Sequence, residues 1–129
     1  LATIHTARNT IVSLLYARDL GSDDLMSLKE DLLEEQKIRN RQKVFVDEVF
    51  DGILNNIETL DSIIESNLKD IKINEIGIIE KAVLRLSIYE ILFTKVDKAI
   101  AINEAIELIR DFGIDEASRF INGLLDHLK

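Results

Sequence analysis

Between about Asn74 and Phe93, apolar residues cover most of the circumference of a helix. Ile76, Ile79, Ala82, Val83, Leu86, Ile88, Tyr89, Ile91 and Leu92 leave no broad polar face. A helix apolar nearly all round is packed on several sides, so the spacing predicts a central helix with others arranged about it. Proline is absent and glycine occurs five times, which leaves few breakers. No stretch alternates convincingly as a strand does. The predicted class is all-α. The 129 residues suit one domain, residues 1–129, able to bury roughly two-thirds of its unfolded surface.

The remaining helices follow from periodicity and caps. A first runs from about Thr6 to Leu20, with Ala7, Ile11, Leu14 and Leu15 inward and Gly21 ending it. A second, capped by Ser22 or Asp23, reaches about Gln36 and buries Leu25, Leu28 and Leu32. Asn40 can cap a third with the stripe Val46, Val49, Phe50, Ile53 and Ile57, broken or bent at Asn55-Asn56. A short fourth carries Leu60, Ile63, Ile64 and Leu68. After the central helix, Asp97 caps a sixth that buries Ile102, Ala105, Ile106, Ile109 and Phe112 and stops at Gly113. Asp115 caps the last, whose stripe is Ala117, Ile121, Leu124 and Leu128.

Composition narrows the chemistry. Without cysteine there are no disulfides, thiolate metal sites or cysteine nucleophiles, which fits a reducing compartment such as the cytoplasm. The N-terminus lacks a signal core and no apolar run approaches the ~20 residues of a membrane span. Leu1 is not a start methionine, so sequence upstream of it is expected. The histidines, His5 and His127, have no metal-ligand partner at sequence spacing, and no nucleophile elbow, phosphate loop or dinucleotide fingerprint occurs. The reading is of a non-enzyme with no cofactor and no metal. The net charge of −8 suits a basic partner. Against that average, "KIRNRQK" (Lys37 to Lys43) gathers four basic residues and no acid, either as a solvated connection or as a phosphate contact.

Two helix faces stand apart from the core stripes. His5, Asn9, Val12 and Tyr16 line up on the first helix with Arg8 beside them, and Glu116, Arg119, Phe120 and Gly123 share one face of the last. The first set is either a partly buried tyrosine with polar neighbours or a stacking platform for unpaired bases, flanked by cations for phosphate. The second is either a weak ion pair beside a core-flanking ring or a binding face.

"EKAVLRLSIYEILF" (Glu80 to Phe93), "AINEAIEL" (Ala101 to Leu108) and "DFGIDEASRFINGLLD" (Asp111 to Asp126) resemble, in order and spacing, the signature of the NusB family of bacterial antitermination factors. "ARNTIVSLLYARDL" (Ala7 to Leu20) resembles that family's first helix, so the likeness covers essentially the whole chain. The resemblance implies about seven helices in two packed bundles. It implies binding of single-stranded boxA RNA together with the ribosomal protein NusE, so that RNA polymerase reads through terminators in ribosomal RNA operons. Carried over by position, it implies an RNA face containing Arg8, Tyr16, Glu116, Ser118, Arg119 and Phe120, to which the first-helix platform adds His5. Glu75 and Glu80 would face NusE. A homodimer covering the RNA face is compatible with the apolar spacing. The rival readings are a NusB-like protein-binding scaffold and the RNA-binding module of a ribosomal RNA methyltransferase.

Overall fold

The computed structural model describes residues 2–128. Seven α-helices follow in order: α1 (Ile4–Asp19), α2 (Leu25–Glu35), α3 (Asn40–Asn55), α4 (Ile57–Ser66), α5 (Ile78–Phe93), α6 (Lys98–Asp111) and α7 (Ser118–Asp126). There is no strand among the described residues. α5 packs against α1, α3, α4, α6 and α7, as its all-round apolar surface requires. α1 packs on α2 and α3, α6 packs on α7, and α1 also touches α6.

Local chemistry explains the boundaries. Thr3 caps α1 by accepting from the backbone of Thr6, so the helix begins at Ile4, two residues earlier than the periodicity suggests. Gly21, at φ +88, lets the chain leave α1, and the backbone N–H of Ser22 returns to the carbonyl of Ala17. Gly113, at φ +75, ends α6 by the same geometry, with Ile114 bonding back to Ile109. Asp24, rather than Ser22 or Asp23, caps α2 through Ser27. That helix buries Leu33 fully, and Leu25, Leu28 and Leu32 only partly. Asn56 separates α3 from α4 and donates to the Gly52 carbonyl at 2.8 Å.

Further expectations change. Asn40 does not cap α3: it is the first residue of that helix, and Arg39 at the cap position makes no side-chain capping bond. The central helix begins at Ile78, not Asn74: Ile73–Glu75 form a 3₁₀ turn and the chain is extended at Ile76 and Gly77. Asp115 does not cap α7, because residues 115–117 form a second 3₁₀ turn leading into it. Asp97 occupies the cap position of α6 but its side chain makes no capping bond.

The larger surprise is charge inside the hub. Arg85 on α5 is 4% exposed. Its Nε and Nη2 donate to the two oxygens of Asp61 on α4 at 2.8 and 2.9 Å, and its Nη1 reaches Asp19 on α1 at 2.9 Å. One turn further, Glu90 is 2% exposed and accepts both Nε and Nη2 of Arg8 on α1, at 2.8 and 2.9 Å. Arg8, 7% exposed, spends its Nη1 on Glu104 of α6 at 2.8 Å and lies over the Phe45 ring of α3 at 5.5 Å. Two planar forks thus tie α1 antiparallel to α5 and draw in α4 and α6. No buried side-chain polar atom among the described residues lacks a partner.

Removing one partner from such a pair strands a buried charge, which costs about 3–5 kcal/mol. Glu90→Ala and Arg85→Ala are each expected to lower the denaturation free energy by about that amount. Urea unfolding followed by circular dichroism measures it. A loss near the ~0.5 kcal/mol typical of surface changes would contradict the buried-clasp description.

Candidate nucleic-acid interface

The second face of α7 is one wall of a cleft. Arg119, Phe120, Gly123, Leu124 and His127 stand on one side, and Ser66, Asn67, Leu68, Lys69 and Ile71, from the end of α4 and the connection after it, on the other. The cleft encloses ≈ 450 Å³. Its lining holds Arg119, Lys69 and His127 and no carboxylate, although the chain carries 24 acids against 16 lysines and arginines.

Each wall has a local cause. Ile121, Leu124 and Leu125 bury the inner face of α7 and thereby turn Arg119 and Phe120 toward the cleft. Phe120 is half-buried, with part of its ring packed on the core and part lining the opening. A methyl group at Gly123 would meet nothing nearby, so close helix packing does not require glycine there. The Gly123 carbonyl takes a 2.7 Å hydrogen bond with His127 Nδ1. Lys98 at the start of α6 donates to the carbonyls of Asp126 and Leu128 and fixes the end of α7. Opposite, Asn67 donates to the Ile63 carbonyl at 2.8 Å.

The other sequence-selected residues divide. Glu116 and Arg119 are exposed and form no ion pair among the described residues. Ser118 is half-buried. Tyr16 is 37% exposed but does not line the cleft. Arg8 is not at the surface. Its guanidinium is committed to Glu90 and Glu104, and meeting a phosphate would break a buried pair. Val12, on the expected platform, is wholly buried. Of the NusE-facing pair, exposed Glu75 closes its own 3₁₀ turn by accepting from the backbone of Lys72 at 3.1 Å. Glu80 folds back against Gly77, where a side chain would oblige its carboxylate to swing away. In the basic loop, Lys43 pairs with Asp47 while Arg39 and Arg41 remain exposed.

His5 has a different setting from the one its helix face suggests. Its Nδ1 lies 3.0 Å from Glu104 Oε2 and its Nε2 2.5 Å from Asp111 Oδ2, both on α6. Asn9 donates to the same Asp111 oxygen at 3.1 Å. These partners are about a hundred residues away in sequence, so spacing along the chain could not reveal them. Burial opposes the imidazolium, but the hydrogen bonds and charges of Asp111 and Glu104 outweigh it and raise the His5 pKa. Burial acts on Asp111 in the opposite sense to its bonds with His5 and Asn9, and the bonds prevail, so its carboxyl titrates lower than usual.

The NusB family model matches residues 5–129 of the chain. A transcription antitermination protein NusB of Campylobacter curvus (strain 525.92) is 50% identical over 129 residues, covering 100% of this chain and 98% of that protein. Another, of Sulfurovum sp. (strain NBC37-1), is 48% identical over 126 residues, covering 98% and 97%. Among solved structures, T. maritima NusB aligns with a TM-score of 0.87 at 28% identity, over 97% of this chain and 89% of that one. The NusB-like chain in a crystal structure of antitermination factors NusB and NusE in complex with dsRNA aligns at 0.83 and 29% identity, over 95% and 92%. No helix among the described residues is long and apolar enough to cross a membrane.

The raised His5 pKa has a defined sign in stability. Its contribution is complete below the ordinary value of about 6.5 and is lost as pH rises through the higher folded-state value. With a metal chelator present, the difference in melting temperature between the wild type and His5→Gln is expected to be positive at about pH 6 and to vanish by about pH 9. Thermal melts across that range measure it. A difference that grows with pH would contradict the assignment.

Proposed function

The chain belongs to the NusB family, and from that premise we infer that it is a transcription antitermination factor: a binding protein rather than an enzyme, acting as one RNA-binding domain in the bacterial cytoplasm. It takes single-stranded boxA RNA jointly with NusE and promotes read-through by RNA polymerase in ribosomal RNA operons. The observation that carries the reading is the carboxylate-free cleft on an otherwise anionic surface. Phe120 offers a ring on which a base can stack, worth about 1–3 kcal/mol. Arg119 and Lys69 on opposite walls can meet phosphates. Tyr16, Glu116 and Ser118 extend the RNA face outside the cleft. His5 and Arg8 serve it by positioning α1. Glu75 and Glu80 belong to the side that meets NusE.

The acidity fits this division of labour. A net charge of −8 opposes RNA at long range and favours a basic ribosomal partner. RNA binding by this chain alone is therefore weak and salt-sensitive, and NusE supplies the field that strengthens it.

Titration of labelled boxA against scrambled and double-stranded competitors, with and without NusE, tests this. Phe120→Ala is expected to weaken boxA binding by about 1–3 kcal/mol. Arg119→Ala is expected to flatten the slope of log affinity against log salt by about 0.7, the loss of one single-strand phosphate contact. NusE binding indifferent to boxA would favour a protein-binding scaffold instead.

A further inference from the structure

The contact between α1 and α6 gathers side chains that touch no RNA in the proposed reading. We propose that His5, Glu104 and Glu107 form a binding site for one divalent transition-metal ion of the Zn²⁺ class, pinning the start of α1 to α6. His5 Nδ1, a Glu104 oxygen and a Glu107 oxygen all lie within 4.8 Å of one another. His5 Nδ1 is 3.0 Å from Glu104 Oε2 and 3.7 Å from Glu107 Oε2. Ligand atoms on bonds of about 2.0–2.2 Å to a common tetrahedral ion stand roughly 3.3–3.6 Å apart, so movements of up to about an ångström complete the set.

The surrounding bonds aim these atoms. His5 Nε2 is held by Asp111 at 2.5 Å, and Asp111 by Asn9. A carboxylate on one imidazole nitrogen fixes the tautomer and leaves the other nitrogen's lone pair for a metal. Arg8 Nη1 holds Glu104 Oε1 at 2.8 Å, which turns Oε2 toward His5. Arg8 is itself locked by Glu90, so this orientation is anchored in the core. Glu104 and Glu107 are three residues apart on α6 and share a face. Glu107, with a side chain 60% exposed, is the open side by which an ion enters.

The donor set selects the ion. One imidazole and two carboxylates suit Zn²⁺ and its neighbours, whereas Mg²⁺ and Ca²⁺ prefer oxygen alone. With His5 neutral, Glu104, Glu107 and Asp111 bring three negative charges to this contact and Arg8 returns one positive. A divalent cation relieves that repulsion. It competes with the proton for His5, so affinity falls in acid.

Isothermal titration of chelator-treated protein with ZnCl₂ at about pH 7.5, with MgCl₂ as comparator, tests the site. One saturable equivalent of Zn²⁺ is expected, accompanied by a rise in melting temperature, with Mg²⁺ far weaker. His5→Ala is expected to abolish it. Glu107→Gln, which disturbs no buried bond, is expected to weaken it about tenfold or more while leaving the metal-free melting temperature unchanged. His127→Ala keeps the full equivalent. Absence of a saturable equivalent in the wild type, or unchanged binding in both His5→Ala and Glu107→Gln, overturns the proposal and leaves His5 as a proton-dependent staple only.

Discussion

The structure depends on two guanidinium groups that cannot be left alone. Arg8 and Arg85 sit where little water reaches them, and an unpaired charge in that setting costs several kcal/mol. Each is satisfied only when helices distant in sequence arrive together: α1 with α5 and α6 for Arg8, α1 with α4 and α5 for Arg85. Apolar packing alone tolerates small slides between helices. A two-toothed fork on a carboxylate does not, because both N–H donors lose their acceptors together. The pairs stand apart along both helices and run in opposite order on α1 and α5, so between them they fix the direction and register of that contact.

That register decides where the candidate surfaces fall. With α1 held against α5, the start of α1 is delivered to α6, and His5 meets Glu104 and Asp111. With α4 drawn in by Asp61, the connection after it is carried across to α7, and the cleft acquires its second wall. Electrostatics then separate by region. Acids congregate at the α1–α6 contact, while the cleft has none. A mean charge therefore says little about what a given face of this protein attracts.

Much of this could be read in the sequence. The helical periodicity, the glycine stops at Gly21 and Gly113, the core stripe of α7 and the hub role of α5 all arise from local spacing. What spacing could not show is anything made by two distant segments. Arg85 and Glu90 lie within an apolar helix and signal burial only through their company. Their partners Asp61 and Arg8 look like ordinary surface residues. Arg8 is the clearest case: a cation beside a tyrosine on a helix face suggests phosphate, while its guanidinium is buried on Glu90 and Glu104. The cleft was half legible. Arg119, Phe120 and Gly123 share a face by periodicity, but Lys69, Leu68 and Ile71 lie in an irregular segment with no pattern to mark them. Gly77 gave no warning either: the extended chain at Ile76 and Gly77 delays α5 to Ile78.

Gly123 bears on how the two walls respond to an occupant. α7 is nine residues long, little more than two turns, and carries near its middle a glycine that no neighbour demands. An alanine there would hold the helix better by about 1 kcal/mol, so this element is softer than its surroundings allow. Its C-terminal end is moored by Lys98 and its inner face by the core, which confines the softness to the side that opens onto the cleft. A strand seated in the cleft as proposed would meet a wall whose softness lies on the open side, with the clasped core behind it.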